Sequence, residues 1–94
     1  NKIKNKTIGI LGMSFKAEID DTRSSLSYKL KKLLMVNAKK VITSDPYVKN
    51  DKQIKKLDYT IKNSDILIIA TPHKIYKKIK TKKIIIDIWN IVQK

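Results

Sequence analysis

The chain has 94 residues, 22 lysines and arginines against eight acidic side chains, and a formal net charge of +14. That length gives one domain with a modest core; the lack of cysteine removes disulfides, thiolate metal sites and thiol catalysis, and no apolar run reaches the length of a membrane helix. The lysines are spread through every segment rather than gathered in one block, so the charge reads as a bias of the whole sequence and argues against nucleic acid as the main partner.

In chain order, residues 8–11 are a short apolar run between lysines and a turn, which predicts a buried strand. Gly9 lies inside it and Gly12 closes it. Gly9 is expected to let another element pack closely, and Gly12 to take a backbone angle that other residues avoid. Residues 12–21 form a long polar turn, and Asp20, Asp21 and Thr22 are expected to cap the following helix. Leu26, Leu30, Leu33 and Leu34 recur with helical spacing, predicting a helix over 24–36 that buries those leucines, with Asn37 as its C-cap. Residues 40–44 read as a second strand, ended by Asp45-Pro46 because proline donates nothing to a ladder. Residues 47–56 are a lysine-rich loop with one helical turn, and Leu57, Ile61 and Ser64 mark a short second helix. Residues 66–70 are the strongest strand. Thr71-Pro72-His73 is its terminal turn, with Pro72 suited to the first turn of a third helix whose face is Ile75, Tyr76 and Ile79. Residues 84–86 form the last strand, ended by Asp87. The tail 88–94 is expected to pack back through Ile88, Trp89 and Val92.

Strands this short and apolar on both sides, alternating with helices, predict an α/β fold. The expected form is a Rossmann-like three-layer sandwich over residues 1–94, with a short parallel sheet in the order 2-1-3-4 and helices on both faces. This order puts a switch point between the first and third strands. The turns 12–21 and 71–73 then flank the crevice where open α/β sheets bind ligands.

Gly9-x-x-Gly12 lacks the third glycine of a dinucleotide fingerprint, and no P-loop lysine follows. Arg23 is the only arginine. Its planar fork suits a phosphate or carboxylate, the other reading being a structural pair with Asp20 or Asp21. Those carboxylates make the helix start a poor anion cradle by itself, so a phosphate there needs Lys16 and Arg23. His73, the only histidine, is either a loop or cap residue or a hydrogen-bonding group for a ligand. Phe15 and Trp89 are core or lid residues, or stacking platforms. Asp45 and Asp87 end strands at one sheet edge, as caps or ligand acceptors, and the paired lysines read as solvated faces. Two other readings remain open at this point: a basic anion- or nucleic-acid-binding module, and a doubly wound scaffold using Asp20-Asp21 as a metal site.

The run from Ile8 through Gly9, Gly12, Phe15 and Lys16, then Asp20-Asp21-Thr22-Arg23-Ser24-Ser25, resembles the signature of the C-terminal domain of UDP-glucose/GDP-mannose dehydrogenases. Asp45-Pro46-Tyr47-Val48, Ser64-Asp65, Thr71-Pro72-His73 and Ile86-Asp87 extend the resemblance over nearly the whole chain. The resemblance implies a cytoplasmic oxidoreductase of polysaccharide biosynthesis that oxidises the 6-hydroxyl of a nucleotide sugar to a carboxylate, with two NAD and a thiol nucleophile. It implies that this chain is the UDP-sugar-binding domain, inactive alone. The NAD-binding domain and the central helical dimerisation domain would lie elsewhere in a homo-oligomeric parent. It also implies that Phe15 and Lys16 contact the nucleotide sugar, that Arg23 reaches the NAD, and that no metal takes part. Many members carry an arginine where this chain has Trp89, and the stretch from Asp45 to Ser64 is short.

Overall fold

The computed structural model describes residues 2–93. Four strands, β1 (Thr7–Leu11), β2 (Lys40–Ser44), β3 (Ile66–Ile69) and β4 (Ile84–Asp87), form one parallel sheet in the order β2-β1-β3-β4. The register sets Ile10 between Thr43 and Ile68, and Leu11 between Ser44 and Ile69. Successive strand side chains point to opposite faces, so the apolar residues sort into two layers. Ile10, Val41 and Ala70 meet Tyr28, Leu30 and Leu34 of helix α1 (Leu26–Asn37), together with Met13 and Val48. Leu11, Leu67, Ile69 and Ile85 meet Leu57 and Ile61 of helix α2 (Leu57–Asn63), with Tyr76, Ile79, Ile91 and Val92 completing that layer. The three-layer arrangement and the strand order are those expected from the sequence.

Gly9 explains how α2 comes so close to the sheet. A Cβ there would lie 2.4 Å from Ser64 Oγ and 2.9 Å from Thr60 Cγ2, so the end of α2 rests on bare backbone. At the sheet's carboxyl edge Gly12 has a φ of 96°, and a Cβ would lie 2.4 Å from Thr71 Cβ and 2.7 Å from its backbone nitrogen. The turns after β1 and β3 therefore touch at a point where no other residue fits.

Several expectations are corrected. The buried face of α1 is not the leucine stripe: Leu26 is 75% exposed and Leu33 62% exposed, while Leu30 and Leu34 face inward. Polar anchors set this rotation. Ser27 is buried beside Thr71, with hydroxyls 3.4 Å apart, and the Tyr28 hydroxyl donates to Asp51 at 2.6 Å. Burial and the Asp51 carboxylate push the Tyr28 phenol up from its ordinary value. The N-cap is Ser25, whose Oγ accepts from the Ser27 N–H, rather than Asp20, Asp21 or Thr22. The third helix is a five-residue 3₁₀ turn, Lys74–Lys78, and Pro72 lies outside it. Its bonds run from Tyr76 N–H to His73 O and from Ile79 N–H to Tyr76 O, the tight i→i+3 pattern of a short connector. β4 is an edge strand with Ile84 and Ile86 exposed, because α1 lies over β1 and β2 and leaves that face of β4 bare. In the tail Val92 packs as expected, whereas Ile88 and Trp89 are exposed and Ile91 packs instead; Lys94 lies outside the described residues. The paired lysines are not all merely solvated: Lys83 Nζ donates to the Ser64 and Lys62 carbonyls at the end of α2, and Lys31 Nζ donates to Gln53.

Candidate functional site

The carboxyl edge of the sheet is organised by a buried carboxylate and a buried imidazole. Asp45 sits just beyond β2 and is 5% exposed. Its Oδ2 accepts from the Met13 N–H at 2.7 Å, the Ser14 N–H at 3.0 Å and His73 Nε2 at 2.8 Å. Its Oδ1 accepts from the Tyr47 N–H at 2.7 Å and the Val48 N–H at 3.2 Å. Burial opposes the charge, but the hydrogen bonds from His73 and these backbone groups outweigh it and hold the carboxyl below its ordinary value.

His73 has no exposed surface and lies between the rings of Tyr47 and Tyr76, with centroids 4.8 and 5.6 Å away. Its Nδ1 accepts from the Glu18 N–H at 2.9 Å, which leaves Nε2 to carry the proton given to Asp45. Ser14 Oγ, 3.2 Å from Nε2, donates to the Lys16 carbonyl instead of serving as a nucleophile. His73 stands at the N-cap of the 3₁₀ turn, as one reading of the sequence has it, but its ring is neither a surface group nor a ligand contact; it is a buried clamp. Glu18 is drawn into a left-handed φ of 63° to reach it. The Glu18 carboxylate accepts from the Lys74 N–H, which holds its pKa down.

These bonds fasten the loop 12–25 at several points. Thr71 and Ser25 hydroxyls both donate to the Ser14 carbonyl, and the Phe15 N–H donates to the Asp21 carbonyl at 2.6 Å. Between the fastenings the loop turns Phe15 and Lys16 outward. Phe15 is 56% exposed, and Lys16 is exposed beside it. Both line a groove of about 320 Å³ with Ala70, Thr71, Pro72 and Trp89. This groove lies at the ends of β1 and β3, the switch point predicted from the strand order.

Arg23 stands elsewhere on the same loop. Its side chain is 90% exposed and grips Asp21, with Nε 3.1 Å from Oδ1 and Nη2 2.9 Å from Oδ2. Hydrogen bonding to Arg23 lowers the Asp21 carboxyl to about 2. The pair borders a separate groove of about 510 Å³, shared with Asp20, Thr22, Lys49 and Asn50. Lys16 and Arg23 thus border separate grooves with no lining residue in common, so they do not form the joint phosphate site expected from the sequence. A third cleft, of about 330 Å³, lies between the end of β2 and the start of α2; the Asp45 carboxylate that borders it is already taken up by the loop bonds. At the end of β4 Asp87 Oδ2 accepts from the Val92 N–H, while Oδ1 is buried without a hydrogen-bond partner among the described residues.

The Asp45–His73 clamp is the part that sequence reasoning missed. Its signals are two prolines, one beside each partner, in Asp45-Pro46 and Pro72-His73, both just past a strand end.

Comparison with known proteins places this architecture. Residues 9–94 match the UDP binding domain of the UDP-glucose/GDP-mannose dehydrogenase family. The chain is 33% identical over 94 residues to a UDP-N-acetyl-D-mannosamine dehydrogenase of Pyrococcus horikoshii, covering 92% of this chain and 22% of that protein. It is 34% identical over 110 residues to a UDP-glucose 6-dehydrogenase of Rickettsia bellii, covering 97% of this chain and 25% of that protein. The solved structure of the Pyrococcus horikoshii UDP-D-ManNAc dehydrogenase superposes with a TM-score of 0.75 at 32% identity, over 84% of this chain and 18% of that one. The chain therefore spans about a quarter or less of these relatives, and it belongs to the UDP-glucose/GDP-mannose dehydrogenase family through its UDP binding domain.

Proposed function

We propose that residues 1–94 form the nucleotide-sugar-binding domain of an NAD-dependent UDP-sugar 6-dehydrogenase. The observation that carries this reading is the family match over 9–94 combined with an exposed Phe15–Lys16 groove at the sheet's switch point. In this reading Lys16 supplies the cation for an anionic or hydroxyl-rich part of the nucleotide sugar, and Phe15 supplies apolar wall. The clamp beneath them fixes the backbone from which both project, so little loop ordering is left to bind against.

Arg23 would meet NAD, in a cleft completed by other domains of the parent chain. The groove sets two cations, Arg23 and Lys49, against Asp20 and Asp21; the Arg23 Nη1 has no partner among the described residues, and a pyrophosphate gripped by the whole fork has to displace Asp21. The bond of Arg23 to Asp21 is a surface pair, which is readily exchanged. NAD accepts hydride when bound, and the nucleophile and base belong to the rest of the parent enzyme, a cytoplasmic homo-oligomer. This chain binds and orients; it does not catalyse alone.

Thermal denaturation of the chain with UDP or a UDP-sugar tests the reading. Ligand raises the melting temperature, Lys16→Ala abolishes the shift and Arg23→Ala leaves it nearly intact. Equal loss from both substitutions contradicts this division of labour. The net charge of +14 favours one other reading, a general anion binder, which predicts tight oligonucleotide binding that falls steeply with salt and shows no preference for UDP.

A further inference from the structure

We infer that Trp89 is a stacking wall for an uncharged ring of the bound nucleotide sugar, and that it determines which ligands the Phe15–Lys16 groove accepts. The inference rests on the functional reading above. Trp89 lines the groove opposite no second cation: Lys16 is the only charged residue in its lining among the described residues. The Thr71 hydroxyl is already donated to the Ser14 carbonyl, so the groove offers aromatic and apolar surface around one positive charge. Such a lining suits a ring with an apolar face held near an anionic group: in a UDP-sugar, either the base, which the ribose links to the diphosphate, or the glycosyl unit, which is joined to it directly. At about 320 Å³ the groove is at the low end of small-molecule sites, which run from about 300 to 1,000 Å³. It has room for one ring and its linkage rather than for a whole nucleotide sugar.

The ring is held in place although it is 53% exposed. Its Nε1–H donates to the Ala70 carbonyl at 3.2 Å, just past the end of β3. The turn behind it is closed by the Asn90 N–H on the Asp87 carbonyl at 3.2 Å and by the Val92 N–H on the Asp87 carboxylate at 2.8 Å. A large apolar ring fixed at a groove rim loses little freedom on binding, so stacking on it is retained as affinity. A cation at this position would instead draw a second anionic group into the groove.

Trp89 is the only tryptophan, so its fluorescence reports on this groove alone. The chain is titrated with UMP, UDP, UDP-glucose and UDP-N-acetyl-D-mannosamine, with tryptophan emission and melting temperature read in parallel. The expected result is a saturable emission change whose midpoint matches that of the thermal shift. A full change with UMP or UDP assigns the ring as the base, and a change that requires the sugar assigns it as the glycosyl unit. Trp89→Ala weakens binding roughly tenfold, in line with base–aromatic stacking, while Trp89→Phe stays within about threefold. A ligand that stabilises the chain without moving the emission of the unsubstituted protein overturns the inference and leaves the functional reading standing. So does a folded Trp89→Ala protein that binds as tightly as the parent sequence. Absence of stabilisation by every UDP compound removes the functional reading, and the inference with it.

Discussion

Replacing Asp45 by asparagine isolates the charge that holds the loop 12–25. The substitution keeps the shape of the side chain and exchanges one acceptor oxygen for an NH₂ donor. Five donors face the carboxylate, three at Oδ2 and two at Oδ1. Whichever way the amide turns, at least two donors meet another donor. If the NH₂ faces His73, the ring can relieve it only by moving its proton to Nδ1, where it meets the Glu18 N–H. Hydrogen bonds to a charged group contribute about 1.5–3 kcal/mol each, so losing two costs about 3 kcal/mol at the low end. A domain of this size has roughly 5–14 kcal/mol in total. The variant therefore retains its fold but unfolds at markedly lower urea. The effect depends on pH with a definite sign. The folded-state pKa of Asp45 is depressed, so its contribution is present in full above the ordinary carboxylate value and is lost as pH falls through the lower, folded one. Urea denaturation followed by circular dichroism at pH 7, and at steps down into the acid range, measures both parts. A loss below about 1 kcal/mol at pH 7, or a difference between the proteins that stays constant into acid, refutes this account of the clamp.

Three further substitutions test the fold. Gly12→Ala must adopt a φ of 96° and place its Cβ 2.4 Å from Thr71, so it should cost at least about 2 kcal/mol in the same assay; a cost under about 1 kcal/mol would mean that the two turns separate freely. In α1, Leu34→Ala should cost about 2–3 kcal/mol while Leu33→Ala changes stability by less than about 0.5 kcal/mol, because only the first is packed against the sheet. Equal effects at the two positions would restore the leucine stripe as the buried face.

The sheet was legible because its strands carry their own signal. Short isoleucine-rich runs bounded by glycine, aspartate or proline fix where strands lie, and right-handed crossovers leave few orders for them. The exposed loop bearing Phe15, Lys16 and Arg23 was legible as a loop from its polarity and its position after β1. The rotation of α1 was not. Four leucines at helical spacing outweighed Ser27 and Tyr28 in the pattern, yet it is these two polar groups that find partners at Thr71 and Asp51 and turn the helix. The clamp was less visible still, since Asp45 and His73 are 28 residues apart and neither is unusual at a strand end. Asp21 illustrates the same limit at short range. It is placed as if to cap a helix, but the nearby guanidinium claims it and leaves capping to Ser25.

The fastening of the loop 12–25 has a consequence for how such domains diversify. The hydrogen bonds that set its path come from backbone groups and from side chains held inside, whereas the letters that face outward contribute little to that path. Outward positions can then be rewritten one at a time, each change altering the surface the loop presents without reopening the question of whether the chain folds.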